Sequence, residues 1–430
     1  MKRFALISSL LVFGCARGVA NDQRHRGDTV VPTPNPSPSP EATPSPKPSA
    51  DPTRLEIRPD PMTGYLELSR GHVIVSGTQD NPVGRMKFTA PVGPMRVTRL
   101  SAMIMNLRSA RSVESLRLFD KDGKLFCSGA LDDAGLLRCS NDAGLFTVTG
   151  DHIITIKVNT AKLEPVGTAV TGDILHFALY IGTGPTDTVT DDIRVVDVGS
   201  KKTFTDKDAA HYSSGDFYKV AIRVFGMQWG SDPDVEAIIV AGSSNILHLT
   251  KPSFQMVGLT TALYNAEVPV FKWNETADAA ADMSQKRLQV YIYPSGVSVG
   301  PYRLFRGATD ITDKVSITAG PVDLKTSSLG ADDSGWALTI LWKDEEVIAA
   351  GTSKTYELRA RVKDASPGDS LTHFIPSDGG CYVTSPYAKI SGQVFVWSDM
   401  SAADHSEKST DWTNGCRVDE LPSLRQTLSL

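Results

Sequence analysis

Beyond its first thirteen residues the chain has no apolar run long enough to cross a bilayer, which takes about 20 mostly apolar residues. It has no His-Glu-x-x-His pair, no phosphate-cradling glycine loop, no paired-cysteine zinc set and no Gly-x-Ser-x-Gly elbow. The usual marks of metalloproteases, nucleotide enzymes and serine hydrolases are therefore missing. A secreted hydrolase with a site built from distant loops stays open as a third reading. A basic excess is lacking too, with 44 Lys and Arg against 49 Asp and Glu and a formal charge of −5. Such a balance gives nucleic acid no clustered basic face to bind. No long run has helical period, the eight histidines are scattered, and no cofactor is expected.

Cysteine is scarce, and its five positions sort into one, two and two: Cys15, then Cys127 and Cys139, then Cys381 and Cys416. Around the first of these lies an address. Lys2 and Arg3 precede an apolar run from Phe4 to Phe13, the charged and apolar regions of a secretory leader. As a helix that run reaches roughly 15 Å, half of a bilayer core. Val12-Phe13-Gly14-Cys15 resembles the bacterial lipobox, with Val and Phe departing from its commoner residues. The resemblance implies cleavage after Gly14, a leader over residues 1–14, and acyl chains on Cys15 that insert into membrane lipid. Several acyl chains anchor stably, at about 0.8 kcal/mol per buried methylene. The expected location is extracytoplasmic, on a membrane-anchored lipoprotein.

Between Pro32 and Pro52 nine of twenty-one residues are proline. This composition buries no core and favours extended polyproline II, which would reach roughly 65 Å over Pro32 to Pro52, so residues 15–53 read as a disordered tether.

After Thr53 short alternating runs follow one another. Ile154, Ile156 and Val158 alternate with polar residues, as do Leu175, Phe177, Leu179 and Ile181, and Tyr218, Val220, Ile222 and Val224. Leu288, Val290 and Ile292 repeat the pattern, and Tyr356, Leu358, Ala360 and Val362 give it most cleanly. Period two with one apolar face predicts half-buried strands, and many such strands predict an all-β chain of two tandem, Ig-like β-sandwich domains. The halves, 54–245 and 246–430, read as weak copies, each ending in a Trp-bearing segment before Ser-Asp: Trp229 to Asp232, and Trp397-Ser398-Asp399. Cys127 and Cys139 flank Asp132-Asp133-Ala134-Gly135, which predicts a hairpin with Gly135 as a bulge if the cysteines face each other. Cys381 and Cys416 form the second candidate bridge, with free thiols as the alternative.

Candidate sites are few. Asp120-Lys121-Asp122-Gly123 has the start of a calcium loop but Leu131 where the closing Glu belongs, so it reads as a turn. Asp187, Asp191 and Asp192 form an acidic loop able to hold calcium with partners from elsewhere. Tyr291, Tyr293 and Tyr302, and Trp397 with Trp412, are candidate exposed strips for stacking on sugars, against the alternative that they cover a sandwich seam.

The second half resembles uncharacterised surface proteins of bacteria of the candidate phyla radiation (Patescibacteria). The matching residues are Leu249 to Ser253, Lys354 to Ala360, Val396 to Asp399, Asp411 to Gly415, and Leu421-Pro422. The resemblance implies tandem sandwiches at the cell surface with no assigned reaction. That family tends to carry an aromatic where this chain has Cys416, so a Cys381–Cys416 bridge would be particular to this chain. The expected role is a non-enzymatic, lipid-anchored surface protein for envelope structure or adhesion. Its expected partners are membrane lipid through Cys15 and cell-wall or surface-layer glycans or other surface proteins, without nucleic acid. The alternative is a glycan-binding lipoprotein using exposed aromatics.

Overall fold

Wherever an alternating run lies among the described residues, it is a strand with its apolar face inward. Ile154, Ile156 and Val158 are buried, as are Leu175, Phe177, Leu179, Ile181, Ile222 and Val224. Leu288, Val290, Ile292, Tyr356, Leu358, Ala360 and Val362 are buried in the second half. The computed structural model describes residues 53–60, 71–163, 169–183, 191–211, 221–225, 227–229, 236–260, 262–323, 334–378, 380–382, 384–418, 420–421 and 424–430. The leader, Cys15, the tether up to residue 52, Asp187, Tyr218, Val220 and the Gly230 to Asp232 part of the first Trp-bearing segment lie outside the described residues. Residues 51–430 make one compact unit. The chain is all-β, and no described helix is long and apolar enough to cross a membrane.

Among the described residues, fourteen strands of the first lobe join in one sheet rather than two. The cause is the strand Asn81–Ile104, 24 residues long. Pro91, Val92, Gly93 and Pro94 in its middle are all exposed, and the register with Phe146–Thr160 shifts between Ala90 and Met95. Proline donates no ladder hydrogen bond, so this stretch bends the strand and lets it serve two layers. Its first part pairs with Leu55–Pro59, and its second with Leu136–Ser140, Ile174–Thr183 and Ile193–Asp197. Both parts bury side chains in one core, Met86 and Phe88 from the first and Val97 and Leu100 from the second.

The second lobe is a sandwich of two separate sheets. One has five strands, in the order Pro252–Met256, Glu267–Ala277, Ser353–Lys363, Ser298–Arg306 and Thr309–Asp310. The other has seven among the described residues, with Met283–Ser295 at its centre between Ser334–Ile348 and Ser370–Phe374. Phe395–Ser398 also pairs with Met283–Ser295, and Trp412–Asn414 with Phe395–Ser398. The facing surfaces share a core in which Trp273 stacks on Tyr356 at 5.3 Å and Trp342 meets the same ring edge-on at 6.2 Å. Fully buried aromatics of this size dominate the apolar area that stabilises such a core. One continuous sheet beside a two-sheet sandwich means that the halves are not copies in topology.

The division expected at 245/246 falls inside the strand Glu236–His248, whose Ile246, Leu247 and His248 pair in parallel with Val73–Val75. Val73, from the first lobe, packs in the second core.

Two disulfides are present. Cys381 joins Cys416 with Cα atoms 5.3 Å apart, and Cys127 joins Cys139 at 5.9 Å. A local turn forms at Asp132, with Gly135 at φ +75° and its N–H donated to the Asp132 carbonyl, but the expected hairpin does not. The two cysteines are not ladder partners: Leu125–Gly129 pairs with Val113–Phe119, and Leu136–Ser140 with Asn81–Ile104. The bridge therefore staples two strands that share no ladder.

Candidate functional site

A buried polar cluster lies where the lobes meet. Phe395–Ser398, which pairs with Met283–Ser295 and Trp412–Asn414 within the seven-stranded sheet, is buried along its whole length. Immediately after it the chain turns sharply at Met400, a non-glycine residue at φ +53°. Such left-handed geometry is uncommon outside glycine and persists where the surroundings hold it.

Asp399 is what holds it. Its Oδ1 accepts the Ser401 hydroxyl at 2.7 Å and the Ser401 N–H at 3.2 Å. Its Oδ2 reaches into the first lobe and accepts the Leu249 N–H at 2.8 Å, His248 Nδ1 at 3.1 Å and the Thr171 hydroxyl. Burial pushes this carboxyl up, but the bonds from His248, Thr171 and Leu249 outweigh it and hold Asp399 below its ordinary value. His248 is itself fully buried, with its ring 5.2 Å from that of Trp397.

A second node lies on the same loop. His405 Nδ1 is 2.8 Å from Asp411 Oδ2, and Nε2 is 2.6 Å from Glu345 Oε2 on the strand Ser334–Ile348. The hydrogen bond to Asp411, then that to Glu345, raises His405 to about 8 against the opposing effect of burial. Burial pushes Asp411 up, yet His405 and Ser409 bond it and keep it far below the usual carboxylate range. Between the two nodes opens a cavity of about 670 Å³, walled by Ala169, Val170 and Leu249 of one lobe and Met400, Ala402 and Thr410 of the other.

This geometry does not form a hydroxyl–imidazole–carboxylate relay. In such a relay the imidazole stands between the hydroxyl and the acid, one nitrogen toward each. Here Thr171 and His248 Nδ1 both meet the same Asp399 oxygen, and His405 has both nitrogens committed to carboxylates. What the arrangement does is bind one lobe to the other and close a loop over the seam.

No family model matches the chain, and no curated protein matches it. Among solved structures it is similar to one described as BspA_C_mut, at 6% identity and a TM-score of 0.19, over 74% of this chain and 93% of the other. A chaperone–tip adhesion subunit complex from Csu pili of Acinetobacter baumannii aligns at 9% identity and a TM-score of 0.19, over 71% and 98%. A membrane anchored protein from Corynebacterium diphtheriae aligns at 9% identity and a TM-score of 0.17, over 87% and 91%. Nothing is inferred from superpositions this loose, and the fold rests on the sheet registers above.

The residues singled out from sequence fall in different places. Trp397 and Trp412 are fully buried and no sugar can stack on them. Their indole N–H groups donate to the Asn414 and Ser406 carbonyls, at 3.2 and 2.8 Å, so they brace the seam. Tyr302 belongs to the other sheet and turns inward to His373 Nε2 at 3.2 Å, with burial raising its hydroxyl far above the usual range. Tyr291 and Tyr293 are half-buried on Met283–Ser295, with Tyr291 edge-on to Phe374 at 5.5 Å. The five aromatics form no strip. Asp191 is bound by Arg99 at 2.6 Å and by Arg194, and Asp192 by Ser101 at 2.8 Å. Both arginines meet Asp191 Oδ2, and among the described residues, which do not include Asp187, no cluster of His, Cys, Asp and Glu is arranged for a metal. Asp120 accepts the N–H groups of Asp122 and Lys124, as a turn requires.

One further group escaped sequence reasoning. Glu275 lies in the second core and is raised to about 8, chiefly by burial and then by the charge of Glu346. Beside it, Gln285 donates to the Tyr356 hydroxyl at 3.2 Å, which donates to Glu346 at 3.1 Å, and Lys354 and Arg306 neutralise Glu346. Glu275 is therefore a neutral acid at physiological pH.

Proposed function

We propose that this chain is exported, lipidated at Cys15 and displayed outside the membrane on its proline-rich tether, in a non-enzymatic envelope-structural or adhesive role. The observation that carries the reading is cysteine arithmetic. All four cysteines after residue 15 are consumed in two internal bridges, so Cys15 is the one left over, and it stands where a lipobox-like sequence needs it. Bridges of this kind persist in oxidising compartments. An all-β unit whose lobes are joined through a buried carboxylate suits a body held at the end of a tether. Membership in the surface proteins of candidate phyla radiation bacteria is part of the proposal.

The test is the intact mass and partitioning of the native protein. Membrane-extracted chain should begin at Cys15 and carry acyl mass, and Cys15→Ser should move to the soluble fraction without it. A cytosolic chain with an unmodified N-terminus would overturn the anchor. For the role, cells displaying the protein should attach to surfaces or to other cells better than Cys15→Ser cells. Turnover of a substrate by the purified protein would sink the non-enzymatic part.

A further inference from the structure

The loop between Ser398 and Asp411 has no ladder of its own, yet it is held at three points. Asp399 reaches the first lobe, His405 reaches Glu345, and Asp411 folds back on the Ala402 N–H at 3.2 Å. The same loop supplies Met400, Ala402 and Thr410 to the wall of the inter-lobe cavity. Its middle hold depends on a proton. A carboxylate can only accept, and both ring nitrogens of His405 face carboxylates at 2.8 and 2.6 Å, so both must carry hydrogen. A neutral ring would turn a lone pair toward one of the two acids.

We propose that the His405 imidazolium is the clasp that holds this loop shut over the inter-lobe cavity, and that loss of its proton releases the loop and opens the cleft. The groups facing the ring from each neighbouring element bear this out. Glu345 comes from Ser334–Ile348 and Asp411 from the loop's own end. Ser284 of Met283–Ser295 lies at 3.4 Å, Ser398 at 3.5 Å, and the Trp412 ring at 5.2 Å. The adjacent Lys286 is spent on Glu407 at 2.8 Å. Hydroxyls and an indole supply no charge to replace the lost proton. With His405 raised to about 8, the clasp contributes in full below 6.5 and its contribution is lost as pH rises through 8. Against the ordinary value of 6.5, the proton favours the closed loop by up to about 30-fold.

Hydrogen exchange on the full chain in detergent tests this, with rates corrected for intrinsic base catalysis. Between pH 5 and 9.5 the Ala402 and Ser409 amides should lose protection by up to about 30-fold, while amides of Ser353–Lys363 keep theirs. His405→Gln should exchange fast in the loop at every pH. Loop protection that ignores pH, or that falls only together with the strand amides, would overturn the clasp. Should His405→Gln fail to fold, nitrogen chemical shifts of the native His405 ring decide: two protonated nitrogens are expected at pH 7, and a single neutral tautomer overturns the proposal.

Discussion

Asp399 of the second lobe accepts the ring N–H of His248 of the first at 3.1 Å, and both residues are fully buried. The pair is separated by 151 residues, and the same carboxylate takes Thr171 from 228 residues away. One side chain therefore couples three distant segments.

Removing it should be costly. Asp399→Ala leaves the fully buried His248 without its acceptor, and with it the half-buried Leu249 N–H and Thr171 hydroxyl. A loss of about 3–5 kcal/mol is expected in denaturant unfolding, because stripping one member from a buried charged network strands its partners. Asp399→Asn, which keeps the shape, should lose less. A change within error for Asp399→Ala would show that the lobes are held elsewhere.

Glu275→Gln should act in the opposite sense, and only above acid pH. The folded acid holds its proton up to about 8, whereas the unfolded one releases it near 4.5. Its contribution is therefore intact below 4.5 and is lost as pH rises toward 8. A neutral amide escapes that penalty. The variant should be more stable than the native chain by about 2–4 kcal/mol near pH 8 and equal to it at pH 4, measured by urea unfolding across pH.

Trp412→Ala and Tyr291→Ala separate seam bracing from surface display. Trp412 is fully buried, so its truncation should cost about 3–5 kcal/mol in thermal or denaturant unfolding. Tyr291 is half-buried and should cost less. Equal small losses at both positions would contradict the buried placement of Trp412.

Cys127→Ser with Cys139→Ser should lower stability by roughly 2–4 kcal/mol, since the bridge joins strands that no ladder connects. Under reducing conditions, which also open Cys381–Cys416, the native chain and the double variant should fall to the same level. Identical unfolding midpoints before and after reduction would argue that the bridge adds nothing.

Trp397 shows why some of the site was hidden. Its strand, Phe395–Ser398, is buried on both faces, and such a strand does not alternate. An indole in that setting carries no period to distinguish it from an exposed aromatic, which is why the sequence left display open beside bracing for Trp397 and Trp412. The scattered histidines were unreadable for a related reason: a lone His248 or His405 acquires meaning only from the carboxylate opposite it. One signal was available. Leu249 to Ser253, Val396 to Asp399 and Asp411 to Gly415, the segments that carried the family resemblance, contribute Leu249, Asp399 and Asp411 to this seam.

By itself the sequence determined what is local: the strands, whose alternation follows from side chains pointing to opposite faces, and the turns at Asp120 and Gly135. Only the tertiary structure decided how the strands share sheets, where the lobes divide and which acids meet which histidines. The physical reason is distance along the chain. A strand's buried face is set by its immediate neighbours, whereas the partners of Asp399 and His405 and the burial of Glu275 depend on segments that packing alone brings together.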